Sequence, residues 1–160
     1  MFSVKVILDV KMSSFAIRLN AGAHKPHLDL ARVLLVQGEL APRLALRTIL
    51  QAGGYAVDVA ATPSEALSKM DAGQYELVLS DSRFGSQDAG PDVLAYARVK
   101  DYRPATAFIT NYEPALRRLS GRGKHQVAIH TQNLPWLLGK VAALLGMRAS
   151  RRYRPLRSAV

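Results

Sequence analysis

What most constrains this chain is a regular alternation that begins at Ala31, in which short apolar runs are separated by segments with helical spacing. Val33-Leu34-Leu35-Val36 is the first run, Tyr55-Ala56-Val57-Asp58-Val59 the second and Glu76-Leu77-Val78-Leu79-Ser80 the third. Ala105 to Thr110 forms a fourth, and Gln126 to His130 a weaker fifth. Between them, Leu46, Ile49 and Leu50 mark one helix face, and Gly53-Gly54 closes that helix, as glycines just past a helix end do. Thr62-Pro63-Ser64-Glu65 opens the next helix: Thr62 caps it, Pro63 suits the first turn, and Glu65 falls at capping-box spacing. Helices are also expected from about Pro91 to Lys100, over Glu113 to Leu119, and along the face marked by Leu134, Leu137, Leu138, Val141, Leu144 and Leu145. Strands buried on both faces read as continuous apolar runs rather than alternating ones, so the pattern predicts an α/β fold with a five-stranded parallel sheet covered on both sides.

Composition narrows the chemistry. The chain has 160 residues, 49% of them hydrophobic, and no cysteine, which excludes a disulfide framework, a Cys-based metal site and a thiol nucleophile. No stretch reaches the ~18 unbroken apolar residues of a spanning helix, so no membrane association is expected. The apolar start at Val6-Ile7-Leu8 is interrupted by Lys5, Asp9 and Lys11 and followed by no small-residue cleavage site, so a cytoplasmic location is the expectation. Residues 1–30 have no clear period and read as a flexible extension, residues 31–146 as the domain, and residues 147–160 as an arginine-rich tail. The net charge of +10 is uneven: residues 146–160 hold Arg148, Arg151, Arg152, Arg154 and Arg157 and no acid.

In doubly wound sheets, ligands and chemistry collect at the carboxyl ends of the strands. The residues to watch are therefore Gln37, Gly38 and Glu39 after the first strand, Asp81 and Ser82 after the third, Thr110 and Asn111 after the fourth, and His130 and Thr131 after the fifth. Gln37-Gly38-Glu39-Leu40 lacks the spacing and the lysine of a phosphate-cradling loop, and no Ser/His/Asp set with a nucleophile elbow is present. An independent metabolic enzyme is accordingly not expected.

Residues 31–145 resemble the receiver domain of two-component response regulators (CheY-like). The resemblance rests on Ala31-Arg-Val-Leu-Leu-Val36, Gly54-Tyr-Ala-Val-Asp-Val-Ala60, Glu65-Ala-Leu67, Tyr75-Glu-Leu-Val-Leu-Ser-Asp81-Ser-Arg83, Phe108-Ile-Thr110 and Leu137-Leu138. It implies a flavodoxin-like strand order of 2-1-3-4-5. It also implies that Asp81 stands where the family keeps its phosphoacceptor, and Thr110 where a hydroxyl contacts the phosphoryl group. The family's Mg²⁺-holding acidic pair is replaced by Gln37 and Gly38, and its charge-neutralising lysine by His130. Asp81 alone is a weak metal ligand, and a neutral imidazole, with its ordinary pKa of about 6.5, does not replace a permanent cation. Gly85 takes the place of a common proline, and Ser86 to Gly90 make a longer loop that could face a partner.

The resulting expectation is a stand-alone, divergent pseudo-receiver in phosphorelay signalling. It would bind a histidine kinase or an output protein, use no cofactor, and have impaired Mg²⁺-dependent phosphorylation. The resemblance also points to homodimerisation through the face from the fourth strand to the fifth helix, where Arg117, Arg118, Arg122 and Lys124 cluster and where Trp136 could anchor a partner. Two alternatives stay open. In one, Asp81 is a working phosphoacceptor that uses Mg²⁺; in the other, the arginine tail binds nucleic acid through its phosphates. No DNA-reading element follows the domain, which makes the second less favoured.

Overall fold

Hydrophobic alternation becomes a sheet of strands β1 (Arg32–Val36), β2 (Ala56–Ala60), β3 (Leu77–Asp81), β4 (Ala105–Thr110) and β5 (Ala128–His130). A computed structural model describes residues 30–85, 92–112, 114, 117 and 127–152. All neighbouring strands pair in parallel, in the order β2-β1-β3-β4-β5, which is the expected doubly wound arrangement. The helices are α1 (Leu40–Ala52), α2 (Pro63–Ala72), α3 (Val93–Arg98) and α4 (Leu134–Arg152), with a 3₁₀ turn at Ser82–Gly85. The expected helix at Glu113–Leu119 falls mostly outside the described residues, as do the loop after Gly85, residues 1–29 and the basic residues Arg118, Arg122 and Lys124.

Because successive strand side chains point to opposite faces, each strand feeds two cores. Val33 and Leu35 of β1 join Leu77, Leu79, Ile109 and Ile129 beneath Leu46 and Leu50 of α1 and Leu137, Val141 and Leu144 of α4. Leu34 and Val36 join Val78 and Phe108 against Ala66 and Met70 of α2 and Val93, Leu94 and Ala97 of α3. The continuous apolar runs of the sequence thus serve helices on both sides.

Local signals terminate the helices where the sequence places them. At the end of α1 the Gly54 N–H donates to Gln51 O and the Tyr55 N–H to Leu50 O, the paired bonds of a Schellman motif. Gly54 sits at φ +93°, in the region that favours glycine. At α2, Thr62 Oγ1 accepts from Glu65 N (3.2 Å), while the Glu65 carboxylate accepts from Ala61 N (2.8 Å), one residue before the cap. Asp92 caps α3 by accepting from Leu94 N and Ala95 N.

The last helix continues past residue 146 to Arg152, so residues 147–152, expected in the tail, are helical. Arg148 explains the extension. Its guanidinium donates to the carbonyls of Tyr102 (2.8 Å) and Arg103 (3.0 Å), tying the helix to the α3–β4 turn, where Arg103 holds a φ of +42°. Arg148 is therefore a structural residue, while Arg151 and Arg152 stay exposed. Among the described residues, no helix is long and apolar enough to cross a membrane.

Candidate functional site

Three strand ends and the turn after β5 enclose a cleft of about 150 Å³. Its polar side is made by Gln37, Glu39, Asp81, Arg83, Thr110, Asn111 and Thr131, and its apolar side by α1 residues such as Leu46 and Ile49 together with Ile109. Gln37, Asp81 and Thr110 are all buried polar residues, which is unusual enough at strand ends to mark a site. Of the positions singled out from the sequence, the structure thus brings Gln37, Glu39, Asp81, Thr110, Asn111 and Thr131 together. His130 does not line this cleft; its Nδ1 accepts from Gln132 N (3.3 Å), and Thr131 presents itself instead.

Each buried polar group is already partnered. Gln37 Oε1 accepts from Glu39 N (3.2 Å), and Thr110 Oγ1 accepts from Tyr112 N (3.1 Å). The carbonyls of Gln37 and Gly38 accept from the Arg43 guanidinium at 2.9 and 3.0 Å. Most of the engagement converges on Asp81, the last residue of β3. The 3₁₀ turn folds Arg83 back onto it: Arg83 N donates to Oδ1 (3.0 Å), Nη2 to Oδ2 (2.8 Å), and Nε lies 3.3 and 3.2 Å from the two oxygens. The other arm of the same guanidinium, Nη1, donates to the Glu39 carboxylate. Hydrogen bonding to Asp81 and then to Glu39 pushes the Arg83 pKa further above its already high ordinary value, so this cation is permanent.

These contacts correct one expectation. The cleft was expected to have no fixed positive charge, yet Arg83 supplies one from the turn after β3 rather than from the end of β5. Glu39, one of the residues to watch after the first strand, lines the cleft rim and is held there by the same arginine. Phe84 is a second feature the sequence reading missed. A Cβ built on Gly38 would lie 3.0 Å from Phe84 Cζ, so the ring fills the direction in which a side chain at that position would project.

The donor set does not fit a magnesium ion. Mg²⁺ demands near-octahedral oxygen ligands, held by one or two carboxylates. Here both Asp81 oxygens accept from Arg83, Gln37 offers an amide oxygen already committed to a backbone N–H, and position 38 has no side-chain ligand. Among the described residues, no three His, Asp or Glu side chains cluster so as to hold a metal.

The fold and cleft define a doubly wound α/β protein with an engaged aspartate at the carboxyl end of its central strand. No family model and no curated protein matches the chain. Solved structures do. The response regulator protein TrrA from Thermotoga maritima is 30% identical over 71% of this chain and 97% of its own, with a TM-score of 0.56. A response regulator receiver protein from Sinorhizobium medicae is 23% identical over 73% of this chain and 95% of its own (TM-score 0.61). The anti-anti-sigma factor PhyR from Bartonella quintana shares the fold at 19% identity (TM-score 0.66), over 90% of this chain and 59% of its own. The chain belongs to the response-regulator receiver family.

Proposed function

We propose that this is a divergent receiver that signals by protein–protein contact and whose Mg²⁺-dependent phosphorylation at Asp81 is impaired. The observation that carries this reading is the lost acidic-pair position: Gly38 offers no side-chain ligand, and a Cβ there would lie 3.0 Å from Phe84 Cζ. A carboxylate attacking a phosphoryl group must overcome repulsion from the phosphoryl oxygens, and catalysis of that step consists mainly of positioning and charge neutralisation. In the family the resemblance names, two acids and a metal do this work, and Gln37 and Gly38 supply neither acid. Thr110, which the resemblance assigns to phosphoryl contact, lines the cleft, while His130, at the family's lysine position, accepts from Gln132 N.

On this reading the partner is a signalling protein, either a histidine kinase or an output protein. The likeness to PhyR, named an anti-anti-sigma factor, supports a protein partner over a small-molecule substrate. The protein is read as a contact module rather than an enzyme, regulated by binding or by its own abundance.

The test is to incubate the protein with acetyl phosphate and Mg²⁺ and weigh it intact. The expected result is an unmodified mass. A stoichiometric phosphoryl adduct that disappears in Asp81→Asn would overturn the reading in favour of a working phosphoacceptor.

A further inference from the structure

We propose that Arg83 is the resident cation of the cleft, a specificity-determining residue whose guanidinium occupies the space between Asp81 and Glu39 and thereby excludes divalent metal. The inference rests on the pseudo-receiver reading and deepens it: loss of the acidic pair removes ligands, whereas Arg83 actively takes the remaining one.

Three observations carry it. First, the coordination is extensive. One residue offers Asp81 a backbone N–H and two side-chain nitrogens, and its third nitrogen reaches Glu39, 44 positions away in sequence. A planar, delocalised fork of this kind matches carboxylate geometry in a way a point charge does not. Second, the tether is short. Arg83 lies two residues from Asp81 on a 3₁₀ turn, so its effective concentration at the carboxylate exceeds what a free ion reaches. Third, the partners differ in burial. The Asp81 side chain is 7% exposed and that of Arg83 is 62% exposed. Drawing Arg83 away leaves a buried carboxylate without its counter-charge, which is costly, while the guanidinium itself loses little by moving to water. A metal would have to compensate Asp81 fully while standing beside a displaced cation of like sign.

The closing experiment gives the metal a second carboxylate and asks whether Arg83 still keeps it out. Gln37→Asp is made alone, with Arg83→Ala, and with Arg83→Gln, which keeps hydrogen-bonding capacity and drops the charge. Each folded variant is titrated with Mn²⁺ and followed by water-proton relaxation. The expected result is Mn²⁺ binding at least about tenfold tighter in both double variants than in Gln37→Asp alone. Equal affinity across the variants, including no binding by any of them, would overturn the proposal. So would tighter binding in the Arg83→Ala pair without the same gain in the Arg83→Gln pair, because space rather than charge would then be the cause. The outcome is independent of the acetyl phosphate test: a wild-type adduct would sink the pseudo-receiver reading, while the comparison among variants still measures what Arg83 does.

Discussion

Gly38→Asp is expected to destabilise the protein by about 1–3 kcal/mol, the usual cost of overpacking, and to leave it without a metal site. The residue restores the family's acid at that position on paper, yet the space it needs is taken. A Cβ alone would lie 3.0 Å from Phe84 Cζ and 3.6 Å from the Ala61 carbonyl, and the carboxylate reaches further still. Phe84 is half-buried and packs against the core between the sheet and helices α2 and α3, so it moves only by giving up that contact. Adding Phe84→Ala should return part of the loss, because the two substitutions share one space and are therefore not additive. Chemical denaturation of the two single variants and the double variant checks this. Additive losses within about 0.3–0.5 kcal/mol would show that the ring and position 38 do not compete.

The second large effect is expected at alkaline pH and belongs to a network at the opposite end of the sheet. Tyr75 is buried, and its hydroxyl donates to Asp58 Oδ2 at 2.8 Å. Asp58 also accepts from Arg32 Nη2 at 2.6 Å, and the Arg32 guanidinium lies 4.8 Å from the centre of the Tyr75 ring. Burial, and after it the hydrogen bond to Asp58, pushes the Tyr75 hydroxyl up to about 12 from an ordinary value of 10. The folded state therefore holds this proton more tightly than the unfolded chain does. The stabilisation is complete below pH 10 and is lost as pH rises from 10 to about 12. With solvent screening at the partly exposed Asp58, its size is about 1–2 kcal/mol. Thermal melts across this range should fall more steeply for wild type than for Tyr75→Phe. Parallel curves would remove Tyr75 from the account.

Much of the fold is legible because parallel strands covered on both faces leave a plain mark. Val33 to Val36 and Leu77 to Leu79 supply alternate residues to two cores, so nearly every position is apolar, and the strand boundaries follow. Thr62, Pro63 and Glu65 announce α2 through local chemistry alone. Asp81 and Thr110 are legible as site residues because strand ends converge in any doubly wound sheet.

What was not legible depends on geometry beyond the local pattern. Arg83 belongs to the motif that carries the family resemblance, but nothing in Asp81-Ser82-Arg83 states that a 3₁₀ turn folds the third residue back onto the first. Glu39 and Arg83 meet across 44 positions, and Gly38 and Phe84 across a similar span, so neither pair leaves a local trace. The sequence groups Arg148 with its arginine neighbours in the arginine-rich tail. Arg148 instead satisfies two carbonyls at a turn 45 residues upstream, a role that only the packing of α4 reveals.

The most direct test of the central claim is a Mg²⁺ titration of the wild-type protein followed by the backbone amide resonances of Ser80, Asp81, Arg83 and Thr110. With Asp81 held by a guanidinium and position 38 without a ligand, these resonances should show no saturable shift as Mg²⁺ rises through the millimolar range. Saturable shifts that converge on Asp81 and are abolished by Asp81→Asn would contradict the account.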